Sequence, residues 1–135
     1  METYPELQVV IDLHRDAFAA TENGIPKTTV QIGEETASQV MIISGTDTTG
    51  LTFPDWRENL KFGLHLQSAL EQLYPGLARP LSISQYRYNQ HMAHGSLLIE
   101  VGCNGNTLQE ALAASRFLAD GLAQVILYAA PQPET

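Results

Sequence analysis

The sequence has 135 residues, enough for one domain with a sizeable core and too few for two. It carries 15 acidic against 7 basic residues, a net charge of −8, which repels phosphate backbones and excludes nucleic acid as an expected partner. At 44% hydrophobic residues, with no apolar run approaching the roughly 20 residues of a membrane span, the composition predicts a soluble globular domain.

Met1 to Glu6 reads as a short polar lead, with Pro5 setting up the first strand; METYPELQ has no basic segment and no apolar h-region that would direct export. In Leu7 to Asp16, LQVVIDLHRD, the run Val9, Val10, Ile11 with Leu13 predicts a strand buried on both faces, as inside a parallel sheet. Arg15 to Lys27 is rich in turn formers, including Asn23-Gly24 and Pro26, and is expected to form a loop lining a cleft. Thr28 to Ile32 and Gln39 to Ile43 alternate or are β-branched and predict an antiparallel hairpin joined by Gly33 to Thr36. The polar loop Ser44 to Thr52 follows.

Phe62, Leu66, Ala69, Leu70 and Leu73 recur at helical spacing and predict a helix from about Pro54 to Tyr74, capped by Thr52 with Asp55 and stopped by Tyr74-Pro75-Gly76. Leu81 to Ser84 is a candidate short strand. Gln85 to Gly95, QYRYNQHMAHG, is a polar, aromatic loop bearing two histidines. It leads into Ser96 to Val101, a second apolar strand, and GCNGN then turns into a helix from about Leu108 to Tyr128. Thr107 and Glu110 stand in the capping-box relation, and Leu108, Leu112, Leu118, Leu122, Val125 and Ile126 predict a largely buried helix. Pro131 and Pro133 predict a disordered tail over 131–135. The expected class is α/β, with a mixed, mostly parallel sheet flanked by helices.

Two residues stand where strands run out. His14 ends the first apolar run and Glu100 ends the second, and ligands of open α/β sheets bind beyond the carboxyl ends of strands. If the strands are parallel neighbours at roughly 4.8 Å, both side chains share one rim. A carboxylate there must be solvated, paired or functional, since burying it alone costs several kcal/mol (about 2–7). Arg15 and Arg87 are the pairing alternatives.

The segments VVIDLHRD, FPDWRENLKFGLHLQSALEQLYPGLARP, YNQHMAHGSLLIEVG and NGNTLQEALAASRFLADGL together resemble the C-terminal half of the stage II sporulation protein P family. The resemblance implies a zinc-dependent N-acetylmuramoyl-L-alanine amidase, which cuts the amide joining peptidoglycan's sugar to its stem peptide, and an amidase-like (phosphorylase/hydrolase-like) fold over residues 1–130. It places a zinc ligand on His14 and the catalytic carboxylate on Glu100. It also implies peptidoglycan and other sporulation proteins as partners, and an extracytoplasmic place in the cell envelope. The family completes its zinc site with an earlier strand bearing an HTHxxE-like motif, which this sequence lacks. The expectation is therefore a partial catalytic domain without its N-terminal strand and helix, an incomplete zinc site, and self-association through an uncovered sheet edge.

Around the pair, Arg15 and Asp16 are assigned to orienting the site. Arg87, Asn89 and His91 are candidate substrate contacts, with a loop-shaping role as the alternative for Asn89. His91 and His94 read as solvated loop histidines before metal ligands, and His65 as a surface position on the first helix. Cys103, the single cysteine, excludes an internal disulfide and reads as a small buried hydrophobe. Two rival functions stand beside the amidase: a wall-binding module without catalysis, and a cysteine hydrolase using Cys103.

Overall fold

The computed structural model describes residues 6–129, so Pro5 and the expected tail at 131–135 lie outside the described residues. The elements are β1 (Val9–Asp16), β2 (Thr29–Ile32), β3 (Glu35–Ser38), β4 (Val40–Gly45), α1 (Trp56–Leu73), β5 (Ser82–Ser84), a 3-10 turn (Gln90–Met92), β6 (Gly95–Cys103) and α2 (Leu108–Ala129). Four strands make one sheet in the order β1-β6-β4-β5. The pairs β1–β6 and β4–β5 are parallel and β4–β6 is antiparallel, so the mixed, partly parallel sheet with helices is what forms.

Alternation along the strands sorts the sheet into two faces. Val40, Ile42, Leu97, Ile99 and Val101 point to one side, where they join Leu66 and Leu70 of α1 and Ala114 and Leu118 of α2 in the main core. Burying one such aliphatic side chain contributes about 1.5–3 kcal/mol, so this face dominates the stability. The residues alternating with these, Met41, Ile43, Leu98 and Glu100, lie on the opposite face, together with Asp12 and His14 of β1. The functional candidates therefore occupy the face away from the helices.

Several expectations are corrected. The hairpin partner of β2 is β3, not Gln39 to Ile43: Ile32 pairs with Glu35 across the two-residue turn Gly33-Glu34, with Gly33 at φ 58 as such tight turns require. The apolar run from Val40 instead enters the centre of the main sheet, where both faces want apolar side chains. β1 is not doubly buried; it is an edge strand, and Leu13 is 59% exposed. Thr52 does not cap α1, whose N-cap is Asp55 without a side-chain bond.

The α2 cap is as expected. Thr107 Oγ1 accepts from the Glu110 N–H at 3.2 Å, and Glu110 Oε2 accepts from the Thr107 N–H at 2.9 Å. The burial of α2 is not: only one stripe, including Ala113, Ala114, Leu118 and Val125, packs inward, while Leu108, Leu112, Ile126 and Leu127 are exposed. With its alanines counted, Leu108–Tyr128 is long and apolar enough by length and composition to cross a membrane, contrary to the expectation that no run approached that threshold.

Candidate functional site

The in-register ladder between β1 and β6 pairs His14 with Glu100 and Asp12 with Leu98. Paired residues of parallel strands share a face and sit roughly 4.8 Å apart, so the imidazole and the carboxylate are immediate neighbours. A register shift between His14 and Asp16 breaks the ladder just beyond them. Such bulges re-aim side chains next to sites.

His14 is half-exposed, and its Nε2 lies 3.0 Å from Asp12 Oδ1, two residues back on the same face. Asp12 was missed in the sequence reading, although strand alternation alone puts it beside His14. On the other side, Asp16 Oδ2 accepts from Arg79 Nη2 at 2.8 Å, and the Arg79 guanidinium lies 5.7 Å from the Phe18 ring centroid. Asp12, His14, Asp16 and Arg79 all act electrostatically on Glu100.

Glu100 is partly buried, and its Oε2 is enclosed with no hydrogen-bond partner. Burial, reinforced by the Asp16 and Asp12 carboxylates, raises Glu100 above the usual carboxylate range against the opposing pull of His14 and Arg79. A carboxyl of raised pKa is suited to taking and returning a proton.

In front of His14 lies an open cleft of about 570 Å³, bounded by Asp12, His14 and Leu98 from the sheet and by Tyr86 to Asn89, Thr49 and Leu51 from two loops; Glu100, paired with His14 in the ladder, is not part of its lining. The loop carrying Tyr86 to Asn89 is fixed by Gln90, 3% exposed. Gln90 Oε1 accepts from the Gly45 N–H at 2.9 Å and its Nε2 donates to the Ile43 carbonyl at 2.8 Å, so the side chain acts as a further rung on β4. Asn59 Nδ2 donates to the Gln90 carbonyl at 2.7 Å. Gly45 has no room for a side chain: a Cβ there would meet the Tyr86 carbonyl oxygen at 2.5 Å. A larger groove of about 800 Å³ runs between α1 and β5, but its walls, including Leu60, Leu64, Leu81 and Ile83, contain neither His14 nor Glu100.

The remaining expected site residues divide. Arg87 and Asn89 do line the cleft, with Arg87 Nη1 donating to the Thr52 carbonyl at 3.0 Å. Arg15 does not join the pair: its Nε donates to the Cys103 carbonyl at 2.8 Å and its Nη2 to the Asn106 carbonyl, tying β1 to the turn before α2. Neither Arg15 nor Arg87 pairs with Glu100 among the described residues; the guanidinium that acts on it is that of Arg79. His91 is exposed on the 3-10 turn outside the cleft, His94 Nε2 lies 3.3 Å from Asp55 Oδ2, and His65 is exposed on α1.

The loop from Ala17 to Lys27 does not line the cleft either. It folds over the turn at Cys103 to Asn106, with Phe18 N–H donating to Asn104 Oδ1 and Lys27 Nζ to Glu110 Oε1. Cys103 is buried beneath it, its Sγ 3.3 Å from the Pro26 carbonyl and 3.2 Å from Asn106 Oδ1, within a set of polar contacts that includes no histidine.

A hydrolytic zinc ion takes three protein donors plus water. Among the described residues no group of three or more His, Cys, Asp and Glu could hold a metal ion, and His14 is turned toward Asp12. These residues alone do not fit a complete zinc site. What they do provide is an imidazole braced by a carboxylate at the floor of a cleft, with a second carboxyl of raised pKa on the neighbouring strand.

A family model described as Stage II sporulation protein P matches residues 1–123. The chain is 29% identical over 119 residues to the "Stage II sporulation protein P" of Bacillus subtilis (strain 168). That stretch covers 84% of this chain and 27% of the relative, so the chain spans about a quarter of the length of the protein it matches.

Proposed function

The chain belongs to the stage II sporulation protein P family, and on that premise we propose that it forms part of the catalytic domain of a cell-wall hydrolase acting in sporulation. The reaction we assign is that of an N-acetylmuramoyl-L-alanine amidase: water cleaves the amide between peptidoglycan's sugar and its stem peptide. The carrying observation is the register that sets His14 against Glu100 on neighbouring parallel strands, inside motifs matching the family.

In this reading Glu100 is the general acid–base group. Its raised pKa supports removing a proton from the attacking water and delivering it to the leaving nitrogen. Asp12 holds the His14 ring in place from the outer side, and the Asp16–Arg79 pair fixes the charge environment below. His14 is proposed as one ligand of a zinc cofactor, the other donors coming from outside the described residues. The donors among the described residues do not by themselves complete a metal site. The substrate places the working protein in the cell envelope, outside the cytoplasm, among other sporulation proteins.

The test is the longer protein acting on dye-labelled cell walls, with Glu100→Gln beside wild type. Wild type is expected to release dye and to expose new L-alanine amino groups, and the variant to release none above background. Wild-type release by Glu100→Gln would end the proposal. A non-catalytic wall-binding module is favoured by one observation, the incomplete donor set. Zinc content separates the two readings: the wall-binding reading for this 135-residue chain requires well under one zinc per chain after purification.

A further inference from the structure

We propose that Tyr86 and Tyr88 form a subsite for a neutral sugar ring, the N-acetylhexosamine on the glycan side of the scissile amide, which rests on the amidase reading above. The two rings are among the most exposed aromatics of the described residues, 55% and 41% exposed, and meet edge to face with centroids 6.5 Å apart. They stand on the cleft wall facing His14. Aromatic faces held in water beside a few planar polar groups suit ligands with both C–H faces and hydroxyls, which is the surface a pyranose presents.

Tyr88 carries a second sign of function. Its φ is 52, the left-handed region, and it is the sole non-glycine residue there among the described residues. Such strain persists where surrounding structure over-determines it, and here Gln90, two residues on, is locked into β4 by both its amide atoms. The tyrosines therefore ride on a fixed wall rather than on a loop that must be ordered by the ligand.

Charge decides between the two sides of the substrate. A stem peptide brings carboxylates, which Asp12 in the lining repels, while Arg87, anchored to the wall through its Nη1 bond to the Thr52 carbonyl, has its Nε enclosed away from the cleft. Asn89 and Thr49 supply neutral donors and acceptors. A neutral, hydroxyl-bearing ring fits this lining better than an anionic peptide.

The experiment uses the 135-residue chain with ring-labelled tyrosine, titrated by nuclear magnetic resonance with chitotriose and, separately, with the anionic tripeptide L-Ala-D-Glu-diaminopimelate. Chitotriose is expected to move the Tyr86 and Tyr88 signals. Tyr88→Gly is expected to weaken chitotriose about tenfold or more while raising Tm, because glycine relieves the positive φ; Tyr88→Phe retains binding. Loss of binding with gain of stability cannot come from misfolding. Signals that respond to the tripeptide and not to chitotriose, or unchanged chitotriose affinity in Tyr88→Gly, would overturn the subsite. Glu100→Gln separates this from the function itself: it should bind chitotriose as wild type does while losing wall hydrolysis. A subsite failure with hydrolysis still dependent on Glu100 sinks only the sugar assignment.

Discussion

His14 and Glu100 lie opposite one another in the parallel β1–β6 ladder, 86 positions apart in sequence and neighbours on one face of the sheet. The helices α1 and α2 occupy the other face, so His14 opens to a cleft while Glu100 sits partly buried beside it, outside the main core.

Glu100 is more stable protonated in the folded chain than in the unfolded one. Its contribution is complete below about pH 4.5 and is lost as pH rises through the raised folded value. Glu100→Gln, which mimics the neutral form, is therefore expected to raise Tm at pH 7 by roughly a few degrees. Thermal melts from pH 4 to pH 8 check this: the two curves should converge at the acidic end.

Glu110 shows the opposite sign. Hydrogen bonds from Lys27, Asn106 and the Thr107 N–H hold its carboxyl down at about 2 from an ordinary 4.5. The stability it contributes is present above about pH 4.5 and is lost as pH falls toward 2. Glu110→Gln should cost about 1–2 kcal/mol at pH 7, as loss of a helix cap does, and the difference from wild type should shrink in acid melts.

Gly45→Ala is expected to act on both fold and site. A Cβ at 45 would meet the Tyr86 and Arg87 carbonyl oxygens at 2.5 and 2.9 Å, both backbone atoms that cannot rotate away. Overpacking of this kind costs about 1–3 kcal/mol, and it moves the cleft wall away from His14. Denaturant melts and kcat/KM on cell walls should both fall; an unchanged kcat/KM would mean that the wall takes no part.

The outer edge of β1 has no strand partner among the described residues, and Leu13 beside it is exposed. A second copy pairing there is expected to give concentration-dependent dimers of this chain in sedimentation. Leu13→Lys should shift the equilibrium toward monomer. A monodisperse monomer at high concentration would contradict the expectation.

The site was legible in the sequence to the extent that strand geometry is. His14 and Glu100 could be paired because each closes an apolar run, and parallel strands bring such ends together. The same alternation would have found Asp12 and rejected Arg15, since residues two apart share a face and adjacent ones do not. Long-range partners are not readable: nothing near Asp16 announces Arg79, 63 residues away, and nothing in YNQHM announces that Gln90 replaces a strand neighbour. The hairpin was misassigned because Val40 to Ile43 satisfies both a hairpin arm and a central strand. The burial of α2 was overestimated because leucines and alanines on all sides leave its inward face undetermined until α1 and β6 are in place.

The most direct measurement is a double-mutant cycle on wall hydrolysis by the longer protein, using His14→Ala, Glu100→Gln and both together. If the two side chains work as one unit, each single change lowers kcat/KM by about 100-fold or more, and the double variant is no worse than the poorer single. Losses that multiply in the double variant, or a Glu100→Gln protein as active as wild type, would contradict a shared site.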